Sequence, residues 1–200
     1  MAKKVVGIVG SYRKGHIIDS VVSAVLMGAE NRGARTHKIY LVDKHIEFCK
    51  NCRVCAQPAD GTRGKCVHDD DMEGIIQELE AADGIVLGSP INFSTVTALM
   101  KRFVERLVVF AYWPWGKGAP KMRIEEPTKK AVIVTSSACP AFIGRILMPN
   151  ALSVMKVAAK AVGAKVVGKL YFGVVAGERD QKLGESQLRK ALKAGGKLLK

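Results

Sequence analysis

Five short runs dominated by Val and Ile, at residues 4–9, 38–42, 84–87, 131–135 and 165–175, most restrict how this chain can fold. Runs that are apolar at nearly every position mark strands covered on both faces. Segments with apolar residues at helical spacing follow them, at 18–29, 72–81, 96–109, 146–162 and 185–199. Strands that alternate with helices join through right-handed crossovers into a parallel sheet with helices on both faces. A chain of 200 residues with 48% hydrophobic content can bury one sizeable core. The expectation is therefore a single domain over 1–200, with a Cys-rich loop at 43–71 and a C-terminal helix at about 180–200.

Five strands with five helices fit the doubly wound, flavodoxin-like order 2-1-3-4-5, in which ligands sit beyond the strand carboxyl ends where the order reverses. The loops after strands one, three and four are then the functional ones. The first runs Gly10-Ser11-Tyr12-Arg13-Lys14-Gly15-His16 before Ile17 and Ile18 open a helix. A helix N-terminus offers unpaired N–H groups and a positive dipole end, which suits a phosphate, with Ser11 and His16 as added donors and Arg13 and Lys14 as charge. The spacing matches neither the Walker loop nor G-x-G-x-x-G, and a plain polar turn has the same composition. The second loop, Gly88-Ser89-Pro90-Ile91-Asn92-Phe93-Ser94-Thr95, can lay N–H groups and the Asn92 and Ser94 side chains along a planar heterocycle, with Phe93 near its face. The third, Thr135-Ser136-Ser137-Ala138-Cys139-Pro140, reaches the same sheet edge.

Two connections exceed what packing needs, which marks them as functional. One, at 110–130, carries Trp113-Pro114-Trp115-Gly116 and is read as a cover for the ligand of the same or a neighbouring subunit, or as an interface anchor. The other holds four of the five cysteines. Cys49, Cys52 and Cys55 stand at intervals of three and Cys66 follows after ten residues. C-x2-C-x2-C is the wrapping geometry by which ferredoxins hold cubane clusters, whereas zinc more often takes two separated pairs. Thiols that hold no metal and serve in redox chemistry or packing are the third reading. The turn-rich stretch at 57–64 can loop out without moving Cys66. His45 and His68 flank the loop as surface histidines, and Cys139 stands as a small residue at the edge of the third loop.

Taken together, Gly10-Ser11-x-Arg13-Lys14, the segment Cys66-Val67-His68-Asp69-Asp70-Asp71-Met72, and Ser89-Pro90-Ile91-Asn92-Phe93 followed by Lys101-Arg102-Phe103-x-x-Arg106 resemble the NADPH-dependent FMN reductase family, in its iron-sulfur flavoprotein-like branch, over about residues 3–175. The resemblance implies an FMN phosphate held by Ser11, Arg13, Gly15 and His16, and a flavin ring against Pro90, Ile91, Asn92, Phe93 and the Ser136-Ser137 loop. It also implies a 4Fe-4S cluster on Cys49, Cys52, Cys55 and Cys66. Two positions depart from the family pattern. Ile17 and Ile18 stand where hydroxyl or amide side chains are common, and Asn92 stands where an aromatic residue is common.

The resulting expectation is an FMN-dependent oxidoreductase that takes electrons from NAD(P)H, or from an acidic carrier such as ferredoxin, and passes them to a small-molecule acceptor. The flavin carries the hydride chemistry, so no side chain is assigned as catalytic. A formal charge of +14 suits an acidic electron-transfer partner and equally suits solvated helix faces. No recognition helix, zinc finger or RNP-like pattern accompanies it, so no specific nucleic-acid binding is expected. No run approaches the roughly 20 apolar residues of a membrane span, and the N-terminal apolar run is too short for a signal core, which predicts a cytoplasmic protein with no membrane partner. The resemblance and the apolar helix at 103–110 predict a homodimer or homotetramer. The alternative from another class is a redox-sensing protein that holds FMN or a cluster without turnover.

Overall fold

The computed structural model describes residues 2–59 and 62–199. Asp60 and Gly61 of the stretch at 57–64, with Met1 and Lys200, lie outside the described residues. The order is β1 (Lys4–Val9), α1 (Ile17–Glu30), β2 (Arg35–Tyr40), α2 (Met72–Glu80), β3 (Gly84–Pro90), α3 (Ala98–Arg106), β4 (Ala111–Tyr112), β5 (Lys121–Met122), β6 (Lys129–Ser136), α4 (Ala141–Leu147), α5 (Asn150–Ala161), β7 (Ala164–Phe172) and α6 (Glu185–Gly195). The main sheet runs β2-β1-β3-β6-β7 with every pairing parallel, and β4 and β5 form a small antiparallel pair. That is the flavodoxin-like order expected from the alternating pattern.

Alternation along each strand divides the core. Val5, Val9, Val86, Val132 and Val134 face α1 and α6, while Val6, Ile8, Ile85, Leu87 and Ile133 face the side of α2, α3 and α5. On the first side two glycines let helices touch backbone to backbone. A Cβ on Gly28 of α1 would collide with the Leu192 carbonyl of α6, and one on Gly195 of α6 would collide with the Val25 carbonyl of α1.

Several boundaries differ from the sequence expectation. The second strand spans Arg35–Tyr40 instead of 38–42, because Leu41–Asp43 turns into a 3-10 segment. The expected helix at 146–162 is two helices bent by 71°. Pro149 lacks an N–H and forces Met148 out of helical geometry, to φ -130° and ψ 57°. The fifth strand stops at Phe172, and 173–183 is loop. Phe103, Leu107, Val109 and Phe110, expected on an oligomer-forming helix, are at most 3% exposed, so this chain's own core uses them. No single helix among the described residues is long and apolar enough to cross a membrane.

Candidate functional site

The carboxyl ends of β1, β3, β6 and β7 open onto a cleft of about 390 Å3, within the range of small-molecule sites. The loop after β1 supplies Ser11, Tyr12, Arg13, His16, Ile17 and Ile18. Ser11 is buried, and its Oγ accepts the Arg13 N–H at 3.1 Å, which folds the loop back on itself. His16 stands at the N-cap of α1 without making a side-chain cap, leaving the first turn's N–H groups without that partner. Arg13 and His16 place two basic side chains beside that terminus.

Lys14 and Gly15 do not line this cleft. Lys14 pairs with Asp43 at 2.6 Å, and the Gly15 N–H donates to Asp19 Oδ2 at 2.6 Å. Asp19 also receives Lys38 Nζ at 2.8 Å and the Tyr40 hydroxyl at 3.1 Å. Burial pushes the Asp19 carboxyl up, but Lys38 and the Gly15 N–H outweigh it and hold the group below its ordinary range. A buried carboxylate therefore anchors the loop from behind.

Pro90, Ile91 and Asn92 form the second wall, and Ser136, Ser137 and Ala138 the third. Ser89 and Thr135, expected at the site, are instead wholly buried in their strands. Ser89 Oγ accepts the Thr97 N–H at 3.1 Å, and Thr135 Oγ1 donates to the Ser89 carbonyl at 2.8 Å. They hold the sheet edge that carries the site and do not face it. Phe93 and Ser94 also lie off the cleft. They make a tight turn with φ of +44° and +65°, closed by paired backbone bonds between Asn92 and Thr95, and Phe93 projects fully into solvent. Two non-glycine residues in the left-handed region store strain at the rim.

The fourth wall was not anticipated. Val175, Ala176, Glu178, Arg179 and Gln181 close the cleft from the loop after β7, reached through Val174 at φ +55°. Gln181 Nε2 donates to the Val174 carbonyl at 2.9 Å, and Arg13 donates to the Arg179 carbonyl at 2.6 Å. Asp180 stands 3.9 Å from both Arg13 and His16. A polar turn directly after the last apolar run, at the same sheet edge as the other loops, was the available signal.

Cysteines 49, 52, 55 and 66 share one loop, and Asn51 and Arg53 between the first three take φ of +54° and +55°. These left-handed residues reverse the chain between successive thiols. The Cys55 thiol is pushed up to about 11, first by burial and then by Cys66, Cys49 and Cys52. Among the described residues no group of three or more His, Cys, Asp or Glu side chains, the four cysteines included, is arranged to hold a metal ion. Four thiols on one reversing loop are nonetheless the donor chemistry that an iron-sulfur cluster takes. His45 is exposed and pairs with Glu47 at 3.0 Å, while His68 Nε2 is buried without a partner.

Trp113 and Trp115 do not line the cleft. Arg53 lies 3.5 Å from the centre of the Trp113 ring and 5.1 Å from that of Trp115. The Trp113 N–H donates to the Ala56 carbonyl at 2.8 Å, and Gln57 bonds to Arg53, Trp113 and Trp115. The tryptophan loop therefore closes over the cysteine loop. Cys139, half-buried, places its Sγ 3.3 Å from Ser137 Oγ, which also receives the Tyr171 hydroxyl at 3.0 Å.

This sheet order, with a cleft at the switch point beyond the strand carboxyl ends, defines a flavodoxin-like α/β domain. Residues 3–179 match the NADPH-dependent FMN reductase family, and the chain belongs to that family. An iron-sulfur flavoprotein of Archaeoglobus fulgidus is 32% identical over 196 residues, covering 98% of this chain and 78% of that one. An iron-sulfur flavoprotein of Methanosarcina thermophila is 33% identical over 106 residues, 53% of each chain. Among solved structures, the NAD(P)H:quinone oxidoreductase of Methanothermobacter marburgensis superimposes with a TM-score of 0.72 at 18% identity, over 99% of this chain and 100% of that one, which bears on the fold alone.

Proposed function

We propose that the chain is one flavin-binding domain of a cytoplasmic iron-sulfur flavoprotein, passing electrons between a reduced carrier and a small acceptor. The observation that carries this reading is the meeting of Ser11, Arg13 and His16 with Pro90, Ile91, Asn92, Ser136 and Ser137 around one cleft. Arg13, His16, Ser11 and the first turn of α1 would hold the FMN phosphate. Ile91, Pro90 and Val175 offer apolar contact to the ring, and Asn92 and Ser136 offer polar partners at its edge. FMN supplies the hydride and single-electron chemistry when bound. The protein's part is to orient the ring and limit water on its inner side.

Cys49, Cys52, Cys55 and Cys66 would hold a 4Fe-4S cluster. The reading is supported by the reversing loop, the four thiols it carries, and relatives named for both cofactors. An acidic carrier such as ferredoxin would dock on basic surface, which is concentrated beside the open edge of β7. There Lys156, Lys160, Lys165, Lys169, Lys190 and Lys193 line two hollows, and none of them joins an ion pair among the described residues. Unpaired like charges of this density steer an oppositely charged partner. NAD(P)H is the alternative donor, and a homodimer or homotetramer is the proposed assembly.

The deciding experiment is anaerobic purification followed by absorption spectroscopy with iron and sulfide assays. Flavin bands with about four irons and four sulfides per chain are expected. Flavin without iron would leave an FMN reductase alone, and a colourless chain that takes up no FMN would sink the proposal. Full flavin loading with no turnover of NAD(P)H or reduced ferredoxin against any acceptor would favour a sensor.

A further inference from the structure

Arg106 closes α3 with its side chain only 2% exposed, facing Asp70, whose side chain is 1% exposed. Its NH1 donates to Asp70 Oδ2 at 2.6 Å and to the Glu47 carbonyl at 2.8 Å. Its NH2 donates to Asp70 Oδ1 at 3.1 Å and to Cys66 Sγ at 3.4 Å. Asp70 in turn accepts the backbone N–H groups of Glu47 at 2.8 Å and Met72 at 3.1 Å. Glu47 lies just before Cys49, and Asp70 just after Cys66. One guanidinium and one carboxylate thus fasten both ends of the cysteine loop and touch one of its sulfurs.

Stability alone is a weak reason for this arrangement. A buried ion pair gains little over apolar side chains of the same volume, and here Arg106 Nε is buried with no partner at all, an added cost. The placement makes sense for the fourth sulfur. C-x2-C-x2-C lets the backbone arrange Cys49, Cys52 and Cys55, but Cys66 follows a ten-residue interval and needs an anchor from elsewhere in the fold.

We infer that Arg106 is a positioning residue that presents Cys66 as the fourth cluster ligand and, through its N–H···S bond and positive charge, raises the reduction potential of that cluster. The inference rests on the cluster reading above. One-electron reduction adds a negative charge shared between cluster and thiolates, and a buried guanidinium donating to one of those sulfurs favours the more negative state. Arg106 therefore makes the cluster easier to reduce by the carrier.

Iron and sulfide are assayed first on the wild-type protein prepared without oxygen. A wild type that takes up no iron overturns the cluster reading and this inference with it. With the wild type loaded, Arg106→Gln and Arg106→Lys are reconstituted the same way, and each is titrated with dithionite while the reduced cluster is followed by electron paramagnetic resonance. Arg106→Gln, which removes the charge, is expected to shift the reduction equilibrium at least tenfold toward the oxidised form, about 59 mV for one electron. Arg106→Lys keeps the charge beside Asp70 without the two-sided fork, and is expected to shift it less in the same direction. It also serves if the Gln variant does not fold. Wild-type potentials in the loaded variants, even with lowered thermal midpoints, would reduce Arg106 to a structural staple and overturn the inference while leaving the cluster reading intact.

Discussion

The guanidinium of Arg53 rests 3.5 Å from the centre of the Trp113 ring, joining a cysteine-loop residue in left-handed conformation to a connection far along the chain. A stacked, partly desolvated pair of this kind contributes about 1–2 kcal/mol. Trp113→Ala should lower the urea midpoint accordingly with the slope unchanged, and should speed proteolysis within 57–64. Trp113→Phe, which keeps a ring face, should recover most of both. Equal losses in the two variants would mean that the Trp113 Nε1 bond to the Lys117 carbonyl at 2.9 Å matters more than the stacking.

Arg13 separates two flavins. If it meets the phosphate, Arg13→Ala should weaken FMN binding about 10- to 100-fold, the worth of one charge-assisted hydrogen bond, and leave riboflavin affinity unchanged. Asp180 competes for the same cations from an exposed position, so Asp180→Asn should tighten FMN about two- to fivefold. Fluorescence titration with both flavins reads all of this. Parallel loss of FMN and riboflavin would place the phosphate elsewhere.

Thr97 tests the scaffold behind the cleft. Its Oγ1 donates to the Gly10 carbonyl at 2.6 Å and accepts the Met100 N–H at 3.2 Å, capping α3 while tying it to the end of β1. Thr97→Val keeps the shape and strands both partners, which should cost about 2–4 kcal/mol by chemical denaturation. Binding of FMN to the folded fraction should change little.

Asp19 sets an acid limit. Its folded carboxyl lies below the ordinary carboxylate value, so its contribution is fully present above about pH 4, the unfolded value, and disappears as pH falls through the folded one. Asp19→Asn should lower stability near pH 7 by about 1.5–3 kcal/mol and flatten the acid limb below pH 4. Midpoints measured from pH 3 to 8 decide it, and an unchanged acid limb would mean that other carboxylates govern that range.

The basic edge predicts a salt signature. Turnover with reduced ferredoxin should fall steeply as ionic strength rises from about 0.01 to 0.15 M, while reduction of a neutral quinone should not. Lys165→Glu with Lys169→Glu should reproduce the high-salt rate at low salt. Insensitivity of the ferredoxin reaction to both would remove this edge as the docking surface.

The pattern of Val and Ile carried the sheet and its order because strands buried on both faces leave little ambiguity in composition. It failed where polar residues belong to strands. Ser89 reads as loop because its hydroxyl looks solvent-bound, and Thr135, the last residue of its apolar run, was assigned to the site as well, yet each is paired inside the sheet. Pro149 was a visible break, but apolar spacing on both sides masked it. The two-residue strands β4 and β5 have no period to read, and contact with the cysteine loop places them. Three of the four walls of the cleft were legible in the loops after β1, β3 and β6. The wall from Val175 to Gln181 was not, because an apolar run gives no sign of where it leaves the sheet. The Arg53 and Trp113 pairing depends on tertiary proximity that spacing does not encode.

The backbone contact of α1 with α6 through Gly28 and Gly195 orders events during synthesis. As the chain leaves the ribosome, α1 emerges with the loop after β1 already attached, but the face that α6 covers stays bare until β7 and α6 have followed. The wall from Val175 to Gln181 emerges just before α6. Closure of the cleft therefore waits on β7 and the turn that follows it, so a ligand touching all four walls is enclosed only after the earlier strands have already folded.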